Sequence, residues 1–140
     1  MKDLTSYINP KRCISPVVVS DNTAQVGQII DKQGFESLTY IIASGTLVSA
    51  TASFTVLLEE GSLANMSDAT TVAAVDMIGT PAQASFIFSD DDKVRKIGYI
   101  GGKRYTRLTI TPATNAAAAP IAVIALLGNA MINPQPAIPV

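Results

Sequence analysis

The chain has 140 residues, a net charge of −1, only 15% charged residues and a mean hydropathy of +0.33. It is the size of one domain, long enough to bury roughly two-thirds of its unfolded surface without help from a disulfide or metal. It contains no histidine and one cysteine, Cys13, which excludes Ser-His-Asp and Cys-His hydrolysis and an intramolecular disulfide, and leaves a free thiol with no zinc partner beside it.

Residues 1–16 carry Pro10 and Pro16 and show no sustained periodicity, so an extended N-terminal arm is expected there. The opening MKDLTSYINPKR lacks the apolar run of a secretory signal, and export by that route is not expected. From residue 17 the pattern turns to period two. VVVS (17–20) and AQVGQIID (24–31) are β-rich runs separated by the turn pair Asp21-Asn22. FESLTYIIAS (35–44) alternates Leu38, Tyr40 and Ile42 against Ser37, Thr39 and Ile41, and SFTVLLEE (53–60) sets Phe54, Val56 and Leu58 against Thr55, Leu57 and Glu59. Both faces of the second run are partly apolar, as in a buried strand.

GSLANMSDA (61–69) is a polar connection, and TTVAAVDMIG (70–79) is ambiguous between strand and short helix, with strand favoured by its Thr-Thr-Val start. ASFIFSD (84–90), KVRKIGYI (93–100), KRYTRLTIT (103–111) and IAVIALLGN (121–129) complete about nine short runs spaced 8 to 15 residues apart, with no amphipathic helix among them. That spacing predicts an all-β sandwich or barrel. The apolar stretch 116–132 is too short to span a bilayer and is interrupted by Pro120, Gly128 and Asn129, so no membrane partner is expected. No residue after Arg107 bears a formal charge, which implies that the C-terminal part lies against something. The last segment, NPQPAIPV, with Pro134, Pro136 and Pro139, predicts an extended tail over 130–140 beyond a sandwich domain at 17–129.

Six of the ten Lys and Arg residues fall in KVRKIGYIGGKRYTRLTITP (93–112). A two-residue turn at Gly101-Gly102 would make this a hairpin, pairing Tyr105 with Gly98 and setting Lys96 opposite Arg107. Like charges directly opposite destabilise a pair by up to roughly 1 kcal/mol, so a negative group is required nearby. Asp90-Asp91-Asp92 is the local candidate and an acidic partner surface the distant one. A solvated face that discourages edge aggregation is the plain alternative. Nucleic-acid binding through Lys96, Lys103, Arg107 and Tyr105 is disfavoured by the sequence pI of about 5.2 and the lack of further basic clusters.

Catalytic signals are missing. Glu59 and Glu60 are adjacent on a strand and point to opposite faces, so they make a poor carboxylate pair. The triple Asp lacks the spacing of a calcium loop and reads as a turn, and Gly101-Gly102-Lys103 lacks the remainder of a phosphate loop. No enzyme, cofactor or metal is expected.

DNTAQVGQIIDKQGFESLTYIIASGTL (21–47) and SDDDKVRKIGYIGGKRYTRLTITP (89–112) resemble the capsid cement, or decoration, proteins of tailed bacteriophages, in particular the jelly-roll type of a short-tailed Bordetella phage. The resemblance covers about residues 20–128. It implies a jelly-roll β-sandwich that dimerises on the outer capsid surface of the virion, made in the host cytoplasm, and ties capsomers of the major capsid protein together. The family transfers no functional residue. From the residues themselves, the expected partner contacts are Lys96, Lys103, Tyr105 and Arg107 on the hairpin, and Tyr7, Lys11, Arg12, Ile132, Pro134 and Pro136 on two arms expected to order only on the shell. A carbohydrate-binding module or a tail or baseplate component is the alternative; the absence of Trp disfavours the first.

Overall fold

Period-two alternation is realised most fully in two strands, β4 (Phe35–Ser44) and β5 (Ser53–Gly61), which lie in different sheets. In the computed structural model, which describes residues 2–137, the other strands are β1 (Ile8–Val19), β2 (Gln25–Val26), β3 (Ile30–Asp31), β6 (Thr70–Thr71), β7 (Met77–Ile78), β8 (Phe86–Ile87), β9 (Val94–Tyr99), β10 (Tyr105–Ala113) and β11 (Ala119–Ala130). A single helical turn, α1 (Pro81–Ala84), is closed by a capping box in which Thr80 and Gln83 exchange side-chain and backbone bonds. Among the described residues no helix is long and apolar enough to cross a membrane.

One sheet has the order β1-β11-β4-β9-β7 and the other β2-β10-β5-β6, with β3 also on β10 and β8 on β5. All pairings are antiparallel. Taking β2 and β3 as one interrupted strand and setting aside the two-residue β6 and β7, first pairs with last, second with second-to-last, and so on inward, alternately in the two sheets. That is a jelly roll, a long antiparallel hairpin rolled into a sandwich. Leu38, Tyr40, Ile42, Ile97, Val123 and Leu127 from the first sheet meet Phe54, Val56, Leu58, Leu108 and Ile110 from the second in one core. Phe54 stacks on Phe86 at 4.7 Å. The Tyr40 hydroxyl crosses the core to Thr106 Oγ1 at 2.6 Å, satisfying two polar groups that have no access to water.

The sequence expectation fails at the N-terminus. Residues 8–16 are no arm: they are the greater part of β1, an edge strand paired with β11, with Asn9, Cys13 and Ile14 buried. Pro10 and Pro16 are accommodated because an edge strand leaves one row of backbone groups unpaired. The sandwich therefore begins at Ile8, not at 17. The C-terminal segment after Ala130 adds no strand but is tied back: Met131 N donates to Gly34 O at 2.9 Å and Gln135 N to Ser6 O at 2.8 Å. Pro139 and the rest of 138–140 lie outside the described residues. The ambiguous stretch 70–79 resolves into β6, a 3₁₀ turn at Ala74–Asp76, and β7.

The hairpin does not form either. β9 pairs with β4 and β7 in one sheet, whereas β10 pairs with β2, β3 and β5 in the other, so the chain crosses between sheets at Gly101-Gly102. Neither glycine has the positive φ that a primed hairpin turn demands of its first residue. Lys96 stands opposite Ile41 and Arg107 opposite Glu59; the feared like-charge pair does not exist.

Candidate interaction surface

The crossing takes apart the basic cluster. Arg107 Nη2 meets Glu59 Oε2 at 2.9 Å, Arg104 grips Asp31 with two bonds of 2.9 and 2.8 Å, and Asp90 accepts both Lys93 at 3.2 Å and Arg95 at 2.8 Å. The backbone N–H of Ile87, helped by Lys93 and Arg95, holds the Asp90 carboxyl below the usual range, and the Arg104 guanidinium does the same for Asp31. Four of the six cations in 93–112 are thus neutralised within the domain. Lys103 lies in the crossover, its ammonium donating to Ser62 Oγ at 3.2 Å, and Lys96 is exposed with no carboxylate beside it among the described residues.

The acidic turn is spent on holding loops. Asp90 Oδ2 accepts from Ile87 N, Asp91 Oδ1 accepts from Leu47 N at 2.8 Å, and Asp92 takes a left-handed φ of 51°. Among the described residues no three His, Cys, Asp or Glu side chains gather as a metal site. Glu60, on the inward side, accepts from the buried Tyr99 hydroxyl, which in turn accepts from Lys103 N. Burial and the neighbouring Glu60 push the Tyr99 phenol well up from its ordinary value, so it stays a donor. Cys13 Sγ sits 4.0 Å from Leu108 O, buried.

What distinguishes the two outer faces is composition. On the second sheet the outward residues of β10 and β5 are Arg107 with Glu59, Thr109 with Leu57, and Thr111 with Thr55, with Thr71 beyond Glu59 and the exposed Val26 and Ile87 toward its margins: a threonine-rich face of mixed character whose Arg107 and Glu59 charges are paired. The outer face of the first sheet reads, row by row across the strands, Val18–Pro120; Ala122–Ala43–Val94; Arg12–Ile124–Ile41–Lys96; Pro10–Leu126–Thr39–Gly98–Ile78. It holds no carboxylate in these rows. Val18 is 60% exposed, Ile124 47%, Ile78 62% and Val94 69%. Shallow grooves cross it, one bordered by Pro16, Val18, Ala43 and Pro120, another by Pro10, Arg12, Ala122 and Ile124. Its exposed apolar side chains make this face the candidate for contact with a partner. Its signal was in the sequence: β11 is apolar at Pro120, Ala122, Ile124 and Leu126 as well as at the core-facing Ile121, Val123, Ala125 and Leu127, a two-sided pattern that one buried face does not require.

The expected contact residues are thereby distributed. Arg12 and Lys96 share the apolar face and one row of it. Lys11 stands opposite the core-facing Ala125 and contributes to the field at Asp31, Tyr105 and Arg107 lie on the opposite sheet, and Lys103 is between the two. Tyr7, Ile132, Pro134 and Pro136 are exposed at one end of the sandwich, where the two terminal segments meet through Gln135, Ser6 and Asn9. Lys96, Lys103, Tyr105 and Arg107 do not form one face.

The fold defines a jelly-roll sandwich protein. No protein-family model matches the sequence, and no curated protein resembles it in sequence. Among solved structures it is similar to the PBSX exported protein XepA, with a TM-score of 0.57 and 13% identity over 97% of this chain, which spans 42% of that protein's length. Weaker similarity extends to the SPBc2 prophage-derived protein YomS (TM-score 0.44, 10% identity, 84% of this chain and 93% of that one) and to a protein of infectious bursal disease virus strain Gx (0.48, 12%, 87% and 32%).

Proposed function

We propose that this chain is a non-enzymatic structural protein of a phage virion, a cement protein that binds the outside of the capsid and joins neighbouring capsomers of the major capsid protein. The observation that carries this is the outer face of the first sheet, largely apolar, charged only at Arg12 and Lys96 and free of carboxylates in its rows, set on a jelly roll. The sequence resemblance supports the same reading, and the fold shared with the PBSX exported protein XepA is compatible with it. The pairing of four of the six cations of residues 93–112 within the domain favours a protein partner over nucleic acid. A cement protein works by repetition: a contact of roughly 800 Å² per partner suffices for each copy, and many copies share the load of the packaged genome.

The test is reconstitution on heads assembled without the chain. Added protein should bind to saturation at a fixed ratio to the major capsid protein and raise the temperature at which the heads release DNA. Heads that take up none, or whose release temperature is unmoved at saturation, would refute the proposal.

A further inference from the structure

Within the cement reading, on which this inference rests, the apolar face carries information about its occupant. Its central row runs Arg12, Ile124, Ile41, Lys96 across four hydrogen-bonded strands. Neighbouring strands are about 4.8 Å apart, which puts the two cations about 14 Å from each other on either side of an isoleucine pair. Four cations of residues 93–112 found carboxylates inside the domain, yet neither Arg12 nor Lys96 meets one among the described residues; Arg12 donates only to Ser15 Oγ.

A second copy of the chain makes a poor occupant. Face-to-face pairing by a two-fold axis through the centre of this row brings Arg12 over Lys96 if the axis runs along the strands, and each cation over its own twin if it runs across them. Positive meets positive in both arrangements, and like-charge juxtaposition in a water-poor interface is costly. Sideways growth of the sheet is also hindered, since the exposed edge is β1 with two prolines and two breaks of register.

We infer that the outer face of the β1-β11-β4-β9 sheet docks on the capsid protein, at an apolar surface flanked by carboxylates that pair with Arg12 and Lys96. Any self-association of the chain uses another surface.

The experiment measures binding of the full chain to heads lacking it, by co-sedimentation at low and high salt. Wild-type affinity should fall with salt, as expected for partly exposed ion pairs. Arg12→Glu combined with Lys96→Glu should weaken binding by about tenfold or more, Ile124→Asp likewise, while Thr111→Glu on the opposite face should bind as wild type. Circular dichroism confirms that each variant is folded. If wild type binds but the double charge reversal binds equally well, or if binding is indifferent to salt, the inference is overturned and the cement reading stands. If the free protein is a dimer that Ile124→Asp splits, a second copy owns the face and the inference is likewise overturned. Failure of wild type to bind heads at all removes the cement reading itself, and this inference with it.

Discussion

Replacing Gly101 and Gly102 one at a time by alanine tests the crossover between the sheets. A Cβ on Gly101 would fall 2.6 Å from the Tyr99 hydroxyl and 2.7 Å from two of its ring atoms. The ring cannot retreat: Tyr99 is fully buried and its hydroxyl is fixed by Glu60 and by Lys103 N. Overpacking at such a contact costs about 1–3 kcal/mol, or a melting temperature lower by roughly 3–10 °C for a domain of this size. A Cβ on Gly102 meets nothing within 4 Å, and φ there is not positive, so alanine should stabilise by about 0.4–1 kcal/mol through the unfolded chain. Thermal and urea melts followed by circular dichroism would show the two variants moving in opposite directions. A primed hairpin turn demands positive φ at the first of the two glycines and often at both, so if both alanines destabilise equally, or Gly102→Ala is the worse, the crossover is wrong.

Tyr40→Phe should lower stability by about 1–2 kcal/mol in urea melts, because it strands the Thr106 hydroxyl in the core; Tyr40→Phe with Thr106→Val should recover part of that loss. Deleting residues 1–16 should abolish cooperative unfolding, since it strips most of β1 from β11; a truncated chain with a normal urea transition would contradict the assignment of β1 to the sandwich. Burial pushes the Cys13 thiol up to about 11, so a thiol reagent at pH 8 should react only after unfolding. The unfolded thiol ionises near its ordinary value of 9.0. The corresponding stability is present below that pH and drains away as pH rises toward about 11. Urea midpoints measured across that range for wild type and Cys13→Ser should converge if the thiol is the cause.

Local alternation made the sandwich legible: β4 and β5 fall where Leu38-Tyr40-Ile42 and Phe54-Val56-Leu58 put them. β1 was hidden by its two bulges. Each adds a residue, shifting the phase of alternation, so Arg12 and Val18 face out while Cys13 and Ile14 are both buried. The Gly-Gly pair suggested a hairpin because turn chemistry reports a change of direction and not which sheet the next strand joins. Likewise, the partners of Arg104 and Arg107 lie 73 and 48 residues away, beyond the reach of any local pattern. The apolar face was half legible. The charge-free stretch after Arg107 signalled contact, but that Ile124 lines up with Ile41, Arg12 and Lys96 is a matter of strand order.

A density map of the intact virion tests the central claim most directly. The account predicts jelly-roll density on the outer surface of the head, its β1-β11-β4-β9 face against capsomers and Arg12 and Lys96 beside carboxylates. Density on the tail, or the threonine-rich face turned to the shell, would contradict it.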